Sequence, residues 1–241
     1  MRSLVASIRA RQASGLLPVI AEIKPRSPKE GDLLAGRDPR ELALAYAALP
    51  VAGISVVTEP HDFGGSVEML RRVRDVTELP ILRKDFPQTE ADLEETREAG
   101  ADAILLIVKM LEVERLVALH RAALDLGLET LVEVHDPGEL AVLREHGIRP
   151  SLIGINNRDI AIGETDAGDV GRTESFAARL PGGVPRLSES AITGPDDARR
   201  ARDAGADAVL VGTAILRAAD PAAMIRSLVE VGSAAAPGGR P

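Results

Sequence analysis

Short aliphatic runs alternate with longer stretches of helical spacing along the chain. The runs are Pro18–Ile23, Ala52–Thr58, Pro80–Leu82, Ala103–Val108, Thr130–Val134, Leu152–Ile155, Val184–Leu187 and Ala208–Val211. They are mostly β-branched residues or leucine, the pattern of strands covered on both faces. Helical spacing falls between them, over Pro39–Ala48, Ser66–Val76, Glu90–Ala99, Glu112–Leu126, Pro137–His146, about Arg172–Leu180, Pro195–Ala204 and Pro221–Val231. Asp38-Pro39, Asp136-Pro137, Gly194-Pro195 and Asp220-Pro221 place proline in a first helical turn, where its missing N–H costs nothing. Gly100, Gly127, Gly147 and Gly205 close helices, as a left-handed C-terminal residue requires.

An internal echo supports this count. Residues 97–108 read REAGADAILLIV and residues 202–213, about half a chain later, read RDAGADAVLVGT. Each is a helix end, a glycine turn and a buried strand. Eight strand–helix units with a half-chain echo predict a closed (β/α)8 TIM barrel of class α/β. No glycine-rich dinucleotide fingerprint follows the first strand, which argues against the open nucleotide-binding sheet. The expected organisation is a short N-terminal extension over 1–17, a barrel over 18–232 and an Ala/Gly/Pro-rich tail over 233–241.

Composition narrows the chemistry. Hydrophobic residues make up 45% of the 241, enough for a core. The net charge is −8, with one Tyr, three Phe and no Trp, so the basic stripes and stacking rings of a nucleic-acid binder are missing. The absence of cysteine excludes disulfides and thiolate chemistry. No apolar run is long enough to span a membrane and the first residues do not read as a secretory signal, so a cytoplasmic protein is expected. Histidine acid–base chemistry is not favoured, since His61 and His135 read as loop residues and His120 and His146 as helical. No carboxylate or histidine set has metal-ligand spacing.

The polar residues sit where each run ends, on the rim where barrels of this type build their sites. The first run carries Glu22, Lys24 and Ser27, and the second leads to Glu59 and Phe63. The third gives Lys84, Asp85 and Phe86, the fourth Lys109, the fifth Glu133, and the sixth Asn156, Asn157, Arg158 and Asp159. The seventh gives Ser188, Glu189 and Ser190, and the eighth Gly212 and Thr213. By two-residue alternation Glu22 and Lys24 share the inward face, and Lys84 points inward while Arg83 points outward. Charges inside such runs cost several kcal/mol if buried unpaired, so they are expected to converge on one another and on a charged ligand. Small residues after the last two strands, Ser190, Gly212 and Thr213, are where a phosphate binds in barrels of this class. The residues alone give acid–base chemistry on a phosphate-bearing small molecule, without metal, nucleotide or other cofactor.

The chain also resembles a family. Ile20-Ala21-Glu22-Ile23-Lys24-Pro25-Arg26-Ser27-Pro28 is similar to the first-strand Glu-x-Lys-x-x-Ser-Pro motif of the indole-3-glycerol-phosphate synthases. Leu82-Arg83-Lys84-Asp85-Phe86, Leu131-Val132-Glu133-Val134, Gly154-Ile155-Asn156-Asn157-Arg158-Asp159, Ser188-Glu189-Ser190 and Leu210-Val211-Gly212-Thr213 resemble its later strand ends, and the likeness spans about residues 18–218. The resemblance implies ring closure of 1-(2-carboxyphenylamino)-1-deoxyribulose 5-phosphate, with loss of carbon dioxide and water, in tryptophan biosynthesis. It implies Lys84 as the acid on the substrate ketone, and Glu133 and Lys24 as proton-transfer partners in the dehydration. Glu22 and Asn156 would orient these groups. Arg158, Glu189, Phe63 and Phe86 would bind substrate, and Ser27, Ser190, Gly212 and Thr213 its phosphate. The chain is expected to act as a monomer or weak homo-oligomer.

Three departures bear on activity. Only 17 residues precede Pro18, where the family has a helix or two over the mouth, so Ser3–Gln12 is expected as a short helix and the rest of that cover as absent. Ala191 stands where the family has glycine after Glu-Ser. The segment 161–174 is unusually acidic. Two rival readings stay open at this stage: a related phosphate-binding barrel acting on a modified substrate, and a non-catalytic barrel.

Overall fold

The computed structural model describes residues 2–158 and 168–232. The expected tail over 233–241 and Asp159, with most of the acidic segment, lie outside them. Eight parallel strands close into a barrel: β1 (Val19–Ile23), β2 (Gly53–Val57), β3 (Ile81–Lys84), β4 (Ala103–Ile107), β5 (Glu129–Val134), β6 (Leu152–Asn156), β7 (Arg186–Glu189) and β8 (Ala208–Val211), with β8 paired back to β1. The surrounding helices are α2 (Pro39–Ala47), α3 (Val67–Arg74), α4 (Glu90–Glu98), α5 (Val113–Asp125), α6 (Pro137–Glu145), α7 (Gly171–Phe176), α8 (Pro195–Asp203) and α10 (Pro221–Val229). All eight expected strands are present. The third, sixth and seventh run further than expected, to Lys84, Asn156 and Glu189, because these polar residues stay in the ladder and point into the barrel.

Two of the elements that were not anticipated border the site. A two-stranded antiparallel ribbon, Arg26–Ser27 with Gly31–Asp32, follows β1, and a five-residue helix α9 (Thr213–Arg217) follows β8. Both are too short to show periodicity, so the sequence pattern could not separate them from loop.

The caps follow the local sequence. Asp38, Asp136 and Asp220 accept first-turn amides of α2, α6 and α10 ahead of the prolines. Thr89 and Asp92 form a reciprocal capping box on α4. Outward positions such as Ala21, Ile23, Ile54 and Val56 pack against α2, α3, α8 and α10, while Ile104, Leu106, Val132 and Ile153 pack against α4 to α7. Inward aliphatics form a third cluster: Ile20, Leu82, Leu105, Leu131, Leu152, Leu187 and Leu210.

The N-terminal helix α1 (Leu4–Ala13) forms as expected, but its place corrects the sequence reading. Its buried Leu4 and Ile8 join the inward cluster from the N-terminal end of the strands, opposite the polar rim. A Cβ on Gly53 would stand 2.6 Å from Leu4 Cδ1 and 2.9 Å from Pro80 O, so the glycine leaves the room that Leu4 fills. Glu129, the first residue of β5, accepts the Leu4 and Val5 amides at 2.6 and 3.2 Å and the Ser3 hydroxyl. The helix is therefore a plug in the barrel floor. Hydrophobic burial of Leu4 and Ile8 draws it there, whereas the polar mouth offers no apolar seat.

Two outcomes follow for stability. Leu4→Ala should cost about 2–5 kcal/mol in denaturant unfolding, since it empties a fully buried site. Burial, aided by nearby Arg121, pushes the His120 imidazole below its ordinary 6.5, and its Nδ1 lies 3.2 Å from Thr130 Oγ1. The unfolded chain then binds a proton that the folded one refuses. This contribution to stability is complete above pH 6.5 and falls as the pH drops below it. His120→Gln should flatten the unfolding midpoint between pH 6.5 and the lowered folded value, measured against the unsubstituted chain.

Candidate active site

One two-residue step up each strand turns the barrel interior from aliphatic to polar. Ile20 gives way to Glu22 and Lys24, Leu82 to Lys84, Leu131 to Glu133, Gly154 to Asn156, Leu187 to Glu189 and Leu210 to Gly212. The alternation expected for Glu22, Lys24 and Lys84 holds. Arg83 points the other way, bonded to Thr58 Oγ1 and Thr96 Oγ1 at 3.0 Å each and to Asp85 Oδ2 at 2.9 Å.

Lys84 is the hub. Its Nζ lies 2.9 Å from Glu189 Oε2 and 3.9 Å from Glu22 Oε2. Glu22 Oε1 in turn lies 3.3 Å from Lys24 Nζ, and Ser55 Oγ donates to Glu22 Oε2 at 3.5 Å. Glu189 is fully buried, and its Oε1 has no hydrogen-bond partner among the described residues. Such charges are tolerable only as a mutually compensating set. Two glycines make room for it. A Cβ on Gly154 would fall 2.2 Å from Glu189 Oε1, and one on Gly212 would fall 2.5 Å from Glu22 Oε1. Behind β1, burial raises the Tyr46 phenol well above its usual range; Arg37 partly opposes this and the charge of Glu22 adds to it.

Glu133 stands across the mouth. Asn156 Nδ2 donates to its Oε1 at 3.0 Å, and the Asn156 Oδ1 accepts the Arg158 amide at 3.0 Å. His135 Nε2 lies 3.4 Å from the same Glu133 oxygen, and its Nδ1 lies 3.3 Å from Glu139 Oε2. Sequence reasoning set His135 aside as a loop residue. Its position two residues beyond Glu133, on the same inward face, was the signal that could have found it.

Two adjoining cavities open on this cluster. The first is lined by Glu22, Lys24, Lys84, Glu133 and Asn156 with the apolar walls Val57, Leu105, Ile107, Phe63 and Phe86. The two rings meet edge to face at 6.5 Å, and Lys24 Nζ lies 5.9 Å from the Phe63 centroid. Glu59 and Asp85 also line it. Glu59 accepts the amides of His61, Asp62 and Phe63 at 2.7 to 2.9 Å and so shapes the loop that presents Phe63, while Asp85 accepts the Phe86 amide at 2.9 Å. The aliphatic walls Val57, Leu105 and Ile107 were missed because inward aliphatics at a strand end look the same as core in sequence.

The second cavity shares Glu22, Lys24 and Lys84 with the first and continues to Glu30, Arg158, Ser190, Ala191, Gly212, Thr213 and Arg217. Arg158 Nε is buried without a partner among the described residues. Thr213 opens α9, whose first-turn amides have no acceptor within the helix. Ser190 and Ala191 both hold positive φ, 64° and 57°, a conformation that costs a non-glycine residue roughly 1–2 kcal/mol. Position 191, where the family has glycine, thus carries this strain in an alanine. Of the residues expected around a ligand, Ser27 and Glu189 line neither cavity. Ser27 sits in the ribbon after β1, where its Oγ accepts the Glu30 amide at 3.1 Å, and Glu189 is fully buried with its carboxylate on Lys84 Nζ.

Comparison with known proteins identifies the family. The indole-3-glycerol phosphate synthase family model matches residues 1–228. Among similar sequences, the indole-3-glycerol phosphate synthase of Thermococcus kodakarensis is 47% identical over 213 residues, 88% of this chain and 92% of the relative. That of Pyrococcus furiosus is 44% identical over the same share of each. That of a Nocardioides species is 44% identical over 89% of this chain and 81% of the relative. Among solved structures, orotidine 5'-phosphate decarboxylase from Pyrococcus horikoshii superposes with a TM-score of 0.61 at 21% identity, covering 87% of this chain and 96% of that one, a likeness of fold. The chain belongs to the indole-3-glycerol phosphate synthase family.

Proposed function

We propose that the two cavities hold the two ends of 1-(2-carboxyphenylamino)-1-deoxyribulose 5-phosphate, with its reacting carbons at the charges they share. The observation that carries this reading is the sharing of Glu22, Lys24 and Lys84 between an aromatic-walled cavity and one lined by small loop residues, Arg158, Arg217 and Glu30. An elongated substrate with an arene at one end and a phosphate at the other then has its ketone near Lys84. Phe63 and Phe86 wall the ring, and Ser190, Gly212, Thr213 and Arg158 face the phosphate. Ser27 stands further off, and in this reading it shapes the ribbon after β1.

The activity is that of a lyase that closes a ring and loses carbon dioxide. The ring carbon bearing the carboxylate attacks the ketone carbon as Lys84 Nζ gives a proton to the ketone oxygen. The carbon–carboxylate bond then breaks, its electron pair restores the aromatic ring, and carbon dioxide leaves. In the dehydration the new hydroxyl departs as water on a proton from Lys24, while Glu133 takes a proton from the former methylene carbon next to nitrogen. Glu22 and Glu189 hold the two ammonium groups in place, and Asn156 fixes Glu133. Fixed charges in a site walled off from water stabilise the charge moving through the ring. We place the reaction in the cytoplasm, carried by a monomer or weak homo-oligomer.

Purified protein mixed with the carboxyphenylamino substrate should develop indole absorbance and fluorescence; binding without that signal would favour a scaffold. Lys84→Met should lower kcat about 10²–10⁴-fold with the unfolding midpoint retained, and unchanged turnover would remove Lys84 from the acid role. Lys84→Arg is a poor control, since guanidinium gives up protons badly. Gly154→Ala should displace Glu189 from beneath Lys84 and lower kcat as well, checked by steady-state kinetics beside circular dichroism.

A further inference from the structure

Asn157 follows the proposed positioning residue Asn156, yet it lines neither cavity. It is buried and its side chain ties three elements together. Nδ2 lies 3.0 Å from Ser188 Oγ, 3.0 Å from Glu189 O and 3.2 Å from Ser190 O. Oδ1 accepts the Thr173 amide at 3.1 Å and the Thr173 hydroxyl at 3.0 Å, and Thr173 Oγ1 lies 2.7 Å from Ser188 Oγ. Thr173 and Ser188 are fully buried. This closed network ends where the backbone is strained, at the left-handed Ser190–Ala191 pair. On the far side Ile192 enters the core and Asp197 accepts the Thr193 amide and hydroxyl at 3.0 and 2.6 Å. Strain of this kind persists only where its surroundings over-determine it.

We propose that Asn157 is a positioning residue that clamps the loop after β7. It keeps Ser190 and Ala191 left-handed, so that they form their wall of the second cavity. The inference rests on the reading of that cavity as the phosphate end. Glycine at position 191 would adopt the same backbone without help; alanine needs the clamp. The effect of Asn157 on binding should therefore depend on what stands at position 191.

The test uses the full chain with Asn157→Ala, Ala191→Gly and the double variant. Asn157→Ala should raise KM about tenfold with a smaller change in kcat, roughly the equilibrium cost of one left-handed residue. In the Ala191→Gly background the same substitution should raise KM no more than about threefold. A merely structural role lowers the unfolding midpoint in both backgrounds but gives no such dependence on position 191. An equal KM rise in both backgrounds, or none in either, overturns the proposal. If Asn157→Ala does not fold, Thr173→Val removes the hydroxyl that bonds Asn157 at nearly constant volume. It should raise KM about threefold in the Ala191 background alone, and no change overturns the clamp. Thermal stabilisation by inorganic phosphate, read on the same proteins, separates this inference from the ring-closure reading. Absence of turnover by the unsubstituted chain sinks that reading. A phosphate-induced shift lost in Asn157→Ala and regained in the double variant still supports the clamp, and a shift equal in all variants, or absent from all, overturns it.

Discussion

Everything at the mouth of this barrel depends on Lys84 being held between two carboxylates. An ammonium group at 15% side-chain exposure, over Glu189 at 0% and beside Glu22 at 3%, is stable only if the charges neutralise one another. That requirement explains features that look unrelated in the chain. Gly154 and Gly212 have no side chain because a Cβ at either would strike a carboxylate of this set. Lys24 completes the balance through Glu22 and leans on the Phe63 ring, so the charged centre and the aromatic wall are one construction.

A second constraint separates stability from chemistry along the barrel axis. The lower half is aliphatic and is closed by Leu4 and Ile8 of α1, and the upper half is polar. Since α1 plugs the floor, a substitution there acts on unfolding, at a distance from Lys84 and Glu133. The loops above are then shaped by local hydrogen bonds: Glu59 gathers three amides to present Phe63, Asp85 fixes Phe86, and Asn157 fixes the turn after Glu189. Each of these residues places another group that faces the cavities.

Much of this was legible in the chain. Eight buried runs, helix starts at Asp-Pro or Gly-Pro and glycine stops set the barrel, and polar residues at the run ends set the rim. The period of two placed Glu22, Lys24 and Lys84 inward and Arg83 outward without any coordinates. These are properties of a residue and its near neighbours in sequence, which is why they survive in one dimension. The family resemblance added roles that spacing could not supply.

Only the folded chain decided the rest. The floor position of α1 depends on contacts between residues far apart in sequence, such as Leu4 with Glu129, and the place of Ser27 outside the cavities depends on a ribbon too short to read from the pattern. The pairing of Lys84 with Glu189 joins strands more than a hundred residues apart, and no local pattern encodes a partner at that separation. The sequence determined which residues are aliphatic, charged or turn-forming, and hence the barrel and its polar rim. Closure of the barrel decided which charges meet, because compensation in a site with little water depends on distances of a few ångströms that only the three-dimensional packing sets.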